Sequence, residues 1–272
     1  MTAGRYTDFH NHLMPAVDDG ARDASAAEAA LDAFRRAGAG QVIATPHLDG
    51  SLTRQPGCLA ARMAELDAGW GALCGAVAAD AQRHASPMRV ERGAEVMLDI
   101  PDPDLSDPRT RLAGTRFALV EFARLRLPPV NAASAIAFIR RSGWLPVVAH
   151  PERYRNLESM DELEALRAAG AFFQVNAGSL LGEYGSTAQR HVMAVLRAGM
   201  ASYACSDYHA TGEPATARAV SLLAEAGFGE QADLLFAVNP GRLLRGDLPL
   251  PVPPVARRAA SAASWWKRLL GG

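Results

Sequence analysis

Short apolar runs rich in β-branched residues alternate, along almost the whole chain, with alanine-rich amphipathic stretches. A repeat of this kind confines the chain to helices packed on a parallel sheet, either open or closed into a barrel. The first strand is expected over Tyr6–His10, followed by a helix with Ser25 and Glu28 as a capping box and Gly38 as its stop. QVIATPH (41–47) reads as the second strand, and a long helix fills much of Leu59–His84. MRVERGAEVML (88–98) is the third strand, and the Asp- and Pro-rich segment 99–108 is a loop. RFALVEF (116–122), LPVVAHPE (145–152), AFFQVNAGS (171–179) and MASYACSDYH (200–209) carry the remaining strands. Helices 131–142, 160–169 and 187–198 lie between them, and one or two more fall within 214–237.

That makes about seven strands in one unbroken pattern. The chain has 272 residues, 49% of them hydrophobic, which is enough for one large core without an internal boundary. Residues 1–248 therefore form a single α/β domain, with NPGRLL (239–244) closing its compact part. Residues 249–272 begin with a proline cluster and end in a basic segment bearing Trp265 and Trp266. That segment is either a loose tail or a docking element for a partner or a membrane surface.

The formal net charge is −1 and Lys267 is the only lysine, so there is no basic field to hold a nucleic-acid backbone. Cys58, Cys74 and Cys205 are too scattered for a disulfide framework or a thiolate metal site. The N-terminus has no apolar core of signal-peptide length, and no window is long enough to span a membrane. A cytoplasmic location is expected.

Residues able to bind metal recur where these strands end, at the face where α/β barrels build their sites. His10 and His12 form an HxH pair, and alternate residues of a strand point to the same side. Asp18 and Asp19 follow in the next loop. His47 ends ATPH, Glu95 lies in GAEV, Glu121 ends LVE, His150 ends VVAH, and Asp207 with His209 forms a DxH pair. A lone histidine is more often a core or surface residue than a ligand. Here five of the seven histidines share strand ends with four carboxylates. Glu121 follows the apolar run FALV, where an unpaired charge is costly to bury and a cation would remove the cost. The donor set is all nitrogen and oxygen, which suits manganese, iron or zinc. Three divalent ions bring six positive charges against four carboxylates, leaving a cationic site matched to a phosphate dianion. Ions sharing a bridging carboxylate can acidify a water for attack on phosphorus, so hydrolysis of a phosphate ester is the reaction expected.

The stretches DFHNHLMPAVDDGA, IATPH, GAEVML, LVEF, VVAHPERY, QVNAGSL, SDYH and NPGRLL together resemble the PHP (polymerase and histidinol phosphatase) superfamily. They look most like its branch of bacterial manganese-dependent protein-tyrosine phosphatases that regulate capsule and exopolysaccharide synthesis. The resemblance implies a distorted seven-stranded (β/α) barrel of the PHP type holding two or three divalent metal ions, manganese first. It implies that His10, His12, Glu95 and Asp207 hold one ion, that Glu95 bridges to a second held by Glu121 and His150, and that Asp19, His47 and His209 hold the third. Arg153, in HPERY, matches the phosphate-contacting arginine, with a structural ion pair to a nearby acid as the other reading.

The branch usually carries a second arginine just past the DxH pair. Here that stretch reads ATGEPATAR, so either Arg218 supplies the second contact from a helix start or that clamp is absent. The implied substrate is a phosphotyrosine protein, a partner bacterial tyrosine kinase. The alternative is a histidinol-phosphate-like or sugar phosphate. No cysteine here has an arginine six residues on, so the cysteine-dependent route is closed, and Cys205 is expected to be a small core residue.

Overall fold

A computed structural model describes residues 6–128 and 130–256. Trp265, Trp266 and Lys267 lie outside the described residues. In chain order the elements are β1 (Tyr6–Asp8), α1 (Ala24–Arg36), β2 (Ala39–Ala44), β3 (His47–Asp49), α2 (Pro56–Arg83), β4 (Arg89–Arg92) and β5 (Glu95–Leu98). Then follow β6 (Phe117–Phe122), α3 (Ala132–Arg141), β7 (Leu145–Ala149), α4 (Met160–Ala168), β8 (Phe172–Asn176), the short α5 (Ala177–Leu180) and α6 (Gly185–Arg197). β9 (Ala201–Cys205), α7 (Thr216–Glu225), α8 (Gly229–Asp233), a π-helical turn and α9 (Asn239–Leu244) complete the described chain.

All strand pairs are parallel, in two sheets ordered β1-β2-β4 and β3-β5-β6-β7-β8-β9. In place of the expected distorted seven-stranded (β/α) barrel, the described residues form nine strands in two sheets. The difference lies in two expected strands, 41–47 and 88–98, each of which breaks in the middle. Pro46 has no N–H to give a ladder, and Thr45 turns aside, its N–H donating to Asn11 O at 2.9 Å. Hydrogen bonds still cross the break: Gly93 N–H donates to Ala44 O at 2.9 Å and Glu95 N–H to Pro46 O at 3.0 Å. At the other end β1 and β9 form no ladder. Beyond them Asn11 bridges Tyr208, with His12 N–H donating to Tyr208 O and Asp207 N–H to His10 O, both at 2.9 Å. The segments carrying the HxH and DxH pairs are thereby laid side by side.

Strands covered on both faces read as continuous apolar runs, and in β7 all five residues are buried. The helices present apolar stripes to the sheets. In α1, Ala27, Ala30, Leu31 and Phe34 are buried at helical spacing. Burying a side chain the size of Phe34 contributes about 1.5–3 kcal/mol. The cap of α1 is Asp23, whose carboxylate accepts from Ala26 N–H, and not Ser25. The capping box forms instead at Ser159 and Glu162 before α4. Gly38 adopts a left-handed φ of 85° just past α1, as its expected stop requires. The start of the expected tail docks: Val252 and Val255 are buried, Leu250 N–H donates to Asn239 Oδ1 at 2.8 Å, and Val255 N–H donates to Leu196 O at 3.0 Å.

A second acidic cluster, Asp32, Asp80 and His84, has a structural explanation. The buried Asp80 takes two hydrogen bonds from Arg35, at 2.6 and 2.7 Å, and one from Met88 N–H at 2.8 Å. It ties α1, α2 and the approach to β4 together. Arg35→Met should leave that carboxylate short of its charge partner. Breaking a fully buried pair costs about 3–5 kcal/mol, and the partial exposure of Arg35 reduces the expected loss to roughly 2 kcal/mol. Urea unfolding of the two proteins measures it.

Candidate metal centre

The site is assembled from strand ends. Asp8, the last residue of β1, is buried, and burial raises its carboxyl pKa. It accepts from His10 N–H, Asn11 Nδ2 and Ser206 N–H at 3.2, 3.2 and 2.7 Å. It therefore anchors the two loops that carry His10, His12 and Asp207. His150 and Asp207 sit in the left-handed region, with φ of 33° and 54°, where a side chain costs energy that the surrounding bonds must hold. His150 N–H donates to Gln174 O at 2.7 Å.

Glu95, at the start of β5, is the centre of the cluster and is buried. Its Oε1 faces His10 Nε2 at 3.2 Å and His150 Nε2 at 3.1 Å. Its Oε2 faces His47 Nδ1 at 3.1 Å and His12 Nε2 at 3.6 Å. Asp207 Oδ1 lies 3.3 Å from His10 Nε2 and 3.5 Å from His12 Nε2. Glu121 Oε2 is 3.8 Å from His150 Nε2. Asp19 Oδ1 lies between His47 Nε2 at 3.5 Å and His209 Nε2 at 3.4 Å. All nine expected ligands thus belong to one cluster. Four groupings within it have ligand atoms within 4.8 Å of one another: His12, Asp19, His47 and His209; His10, His150 and Asp207; His10, His12 and Glu95; and His47, Glu95 and Glu121.

Two features fit this set to divalent cations. The buried Nε2 atoms of His10 and His12 have no hydrogen-bond partner, though both face carboxylates. Their other ring nitrogens are occupied: His10 Nδ1 by Gln174 Oε1 at 2.7 Å and His12 Nδ1 by Asp18 Oδ2 at 2.8 Å. A partner on one nitrogen fixes the ring and turns the other toward an ion. Burial alone would drive the protons off these imidazoles. Glu95 with Asp207 and, for His12, Asp18 outweigh it, raising His10 to about 9 and His12 to about 10. Imidazoles overcome burial to hold both carboxylates well below the usual range: His10 with His150 and His47 at Glu95, and His10 with His12 and His150 at Asp207. Burial and the nearby Glu95 push Glu121 the other way, upward. Without an ion, protons supply the positive charge this cluster demands.

The supporting residues were less visible in the sequence. In the sequence Asp18 stands out only as the neighbour of Asp19, and Gln174 only as part of QVNAGSL. Replacing Gln174 with Ala frees the His10 ring, and manganese affinity should fall by about 10–100-fold. Titration calorimetry on the stripped variant checks this.

Arg153 lies beside the cluster, and its Nη1 donates to Asp207 Oδ2 at 2.5 Å. Its guanidinium stacks 4.2 Å from the centre of the Tyr184 ring. Arg218 does not join the cluster: it is exposed, and its Nη2 bonds Glu183 Oε1 at 2.6 Å. Cys205 is buried, and burial raises its thiol pKa well above its usual value, as suits a small core residue.

Parallel strands whose ends converge on a largely buried His/Asp/Glu cluster define an α/β protein with a site able to hold metal ions. Residues 6–245 match the family described as Capsular polysaccharide synthesis, CpsB/CapC, and the chain belongs to that family. The tyrosine-protein phosphatase YwqE of Bacillus subtilis (strain 168) is 29% identical over 258 residues, covering 92% of this chain and 97% of that protein. The tyrosine-protein phosphatase CpsB of Streptococcus agalactiae serotype III (strain NEM316) is 22% identical over 248 residues, covering 88% and 98%. A crystal structure from work on B. subtilis YwqE and Streptococcus pneumoniae CpsB, described as unique metal-dependent tyrosine phosphatases, superposes with a TM-score of 0.69. It is 25% identical, covering 92% of this chain and 100% of the other. No helix among the described residues is long and apolar enough to cross a membrane.

Proposed function

We propose that this chain is a metal-dependent protein-tyrosine phosphatase. The observation that carries the reading is Glu95, a buried carboxylate with two imidazoles on each oxygen, which together would hold metal ions. Bound divalent ions, manganese first and iron or zinc next, would supply Lewis acidity at phosphorus and an acidified water. His10, His12, Glu95 and Asp207, then Glu121 and His150, then Asp19, His47 and His209 would hold two or three of them.

The chain's own residues do the positioning. Asp207 orients Arg153, whose planar fork suits phosphoryl oxygens. A phenol has a pKa of about 10, so a tyrosyl leaving group needs less help from a general acid than an alkoxide does. The relatives carry the name tyrosine-protein phosphatase and the family is one of capsular polysaccharide synthesis. The natural substrate proposed is therefore a phosphotyrosine protein, a bacterial tyrosine kinase acting in exopolysaccharide control in the cytoplasm.

The test is hydrolysis of a phosphotyrosine peptide by chelator-stripped protein, with and without manganese, beside a panel of sugar and histidinol phosphates. Turnover of the peptide only with manganese is expected. Turnover confined to the metabolite panel overturns the tyrosine assignment, and none on any ester overturns the phosphatase itself.

A further inference from the structure

Between α5 and α6 the chain makes a tight turn over 181–185, flanked by Gly182 and Gly185 with φ of 79° and 88°. L side chains rarely adopt such values, so the turn has little freedom to relax if either glycine is replaced. The turn presses onto Gly178: a Cβ there would fall 2.6 Å from Glu183 Oε2 and 2.8 Å from Tyr184 Cε2. Only a glycine floor lets Glu183 and Tyr184 come this close. From the other side Arg218, near the start of α7, grips Glu183 at 2.6 Å. The turn is thus clamped against the body of the protein from below and from the side.

What the clamp holds in place is a tyrosine ring. Tyr184 is 39% exposed. The ring covers the guanidinium of Arg153, whose carbon lies 4.2 Å from the ring centre, a favourable cation–π contact. The ring also borders a cavity of about 290 Å³, whose wall includes Leu125, Tyr154 and Ala188 beside the charged Glu152, Arg153 and Arg155. Arg153 therefore has Asp207 of the metal cluster at one end and an aromatic wall on its face. Arg153 borders both the cluster and this cavity, so an ester whose phosphate it held would have the cavity beside its leaving group.

We propose that Tyr184 is the residue by which this site selects aryl over alkyl phosphate esters, and that the Glu183–Arg218 pair positions it. This rests on the phosphatase reading and names the specificity of that same site. An aromatic leaving group gains an offset or edge-to-face contact with the ring, which an alkyl group does not. Arg218 then acts through Glu183 and Tyr184 and not by touching phosphate, which accounts for an arginine that lies near the site yet points to its rim.

The experiment is calorimetric binding of phenylphosphonate and methylphosphonate to the full-length, manganese-loaded protein, in wild type, Tyr184→Phe, Tyr184→Ala and Arg218→Ala. Wild type and Tyr184→Phe should prefer phenylphosphonate. Tyr184→Ala should lose roughly tenfold in phenylphosphonate affinity, the size of a well-placed aromatic contact, with methylphosphonate unchanged. Arg218→Ala should lose part of the same preference, which keeps the idea testable if the alanine at 184 disturbs folding. With phosphotyrosine peptide, KM should rise in Tyr184→Ala more than kcat falls, and Tyr184→Phe should restore it. Equal weakening of both phosphonates, or no phenyl preference in wild type, overturns the assignment. A phenyl preference without any phosphotyrosine turnover supports the aromatic wall and counts against the phosphatase reading alone.

Discussion

Glu95→Ala is expected to leave no measurable phosphatase activity and to lower the manganese content of the protein. Four imidazoles address the two oxygens of Glu95, so its removal takes a ligand from more than one position of the cluster at once. Loss of a supporting residue around a metal costs about 10–100-fold in affinity or activity. Loss of a carboxylate shared across the cluster should exceed that, on the order of 10³-fold in kcat/KM, or about 4 kcal/mol of transition-state stabilisation. His150→Ala should behave similarly, because its Nε2 sits between Glu95 and Glu121.

Glu95→Gln is the useful companion, since it keeps the shape and one acceptor oxygen while removing the charge. It should retain the fold and still lose most activity. Elemental analysis of metal content, measured beside turnover, separates ligand loss from unfolding. Near wild-type turnover in both alanine variants would refute the site assignment.

The candidate ligands are legible because they come from local pattern: a polar residue beside a short apolar run, repeated strand after strand. His10, His12, His47, Glu95, Glu121, His150, Asp207 and His209 all stand out that way, and Asp19 follows from the loop after the first of them. What supports the ligands was not legible, because it comes from far away in the chain. Gln174 meets His10 across 164 residues, and Asp8 reaches Ser206 across 198. No periodicity encodes such pairings.

The strand count is hard to read from the sequence for a different reason. Thr45–Pro46 and Gly93–Ala94 sit inside runs that are apolar enough to look continuous, and only the hydrogen bonding shows the chain stepping there. Arg218 is a third kind of case. Sequence offers it as a second phosphate contact or leaves that clamp absent, and the side chain is taken by Glu183, which no local signal marks as its partner.

Metal-free protein should be markedly less stable than loaded protein, and the gap should widen as pH rises above neutrality. In an unfolded chain a histidine takes up its proton near 6.5, whereas in the folded, metal-free cluster His10 and His12 hold theirs up to about 9 and about 10. A group whose pKa is raised on folding adds stability in full below the unfolded value, and that contribution is lost as pH rises through the folded one. Glu95 and Asp207, whose values are lowered, add theirs above the unfolded carboxylate range and lose it in acid. The stripped protein should therefore be most stable in mildly acidic solution and lose melting temperature steadily between about pH 7 and pH 10.

Cations replace those protons and need no pH to keep their charge. Loaded protein should stay flat over the same range, and saturation at about 1,000 times Kd should add about 4 kcal/mol of stability. Thermal melts of stripped and manganese-loaded protein from pH 5 to pH 10 measure both effects. A stripped protein whose melting temperature held constant to pH 10 would mean that protonated imidazoles do not balance Glu95 and Asp207, and that this buried cluster is neutralised some other way.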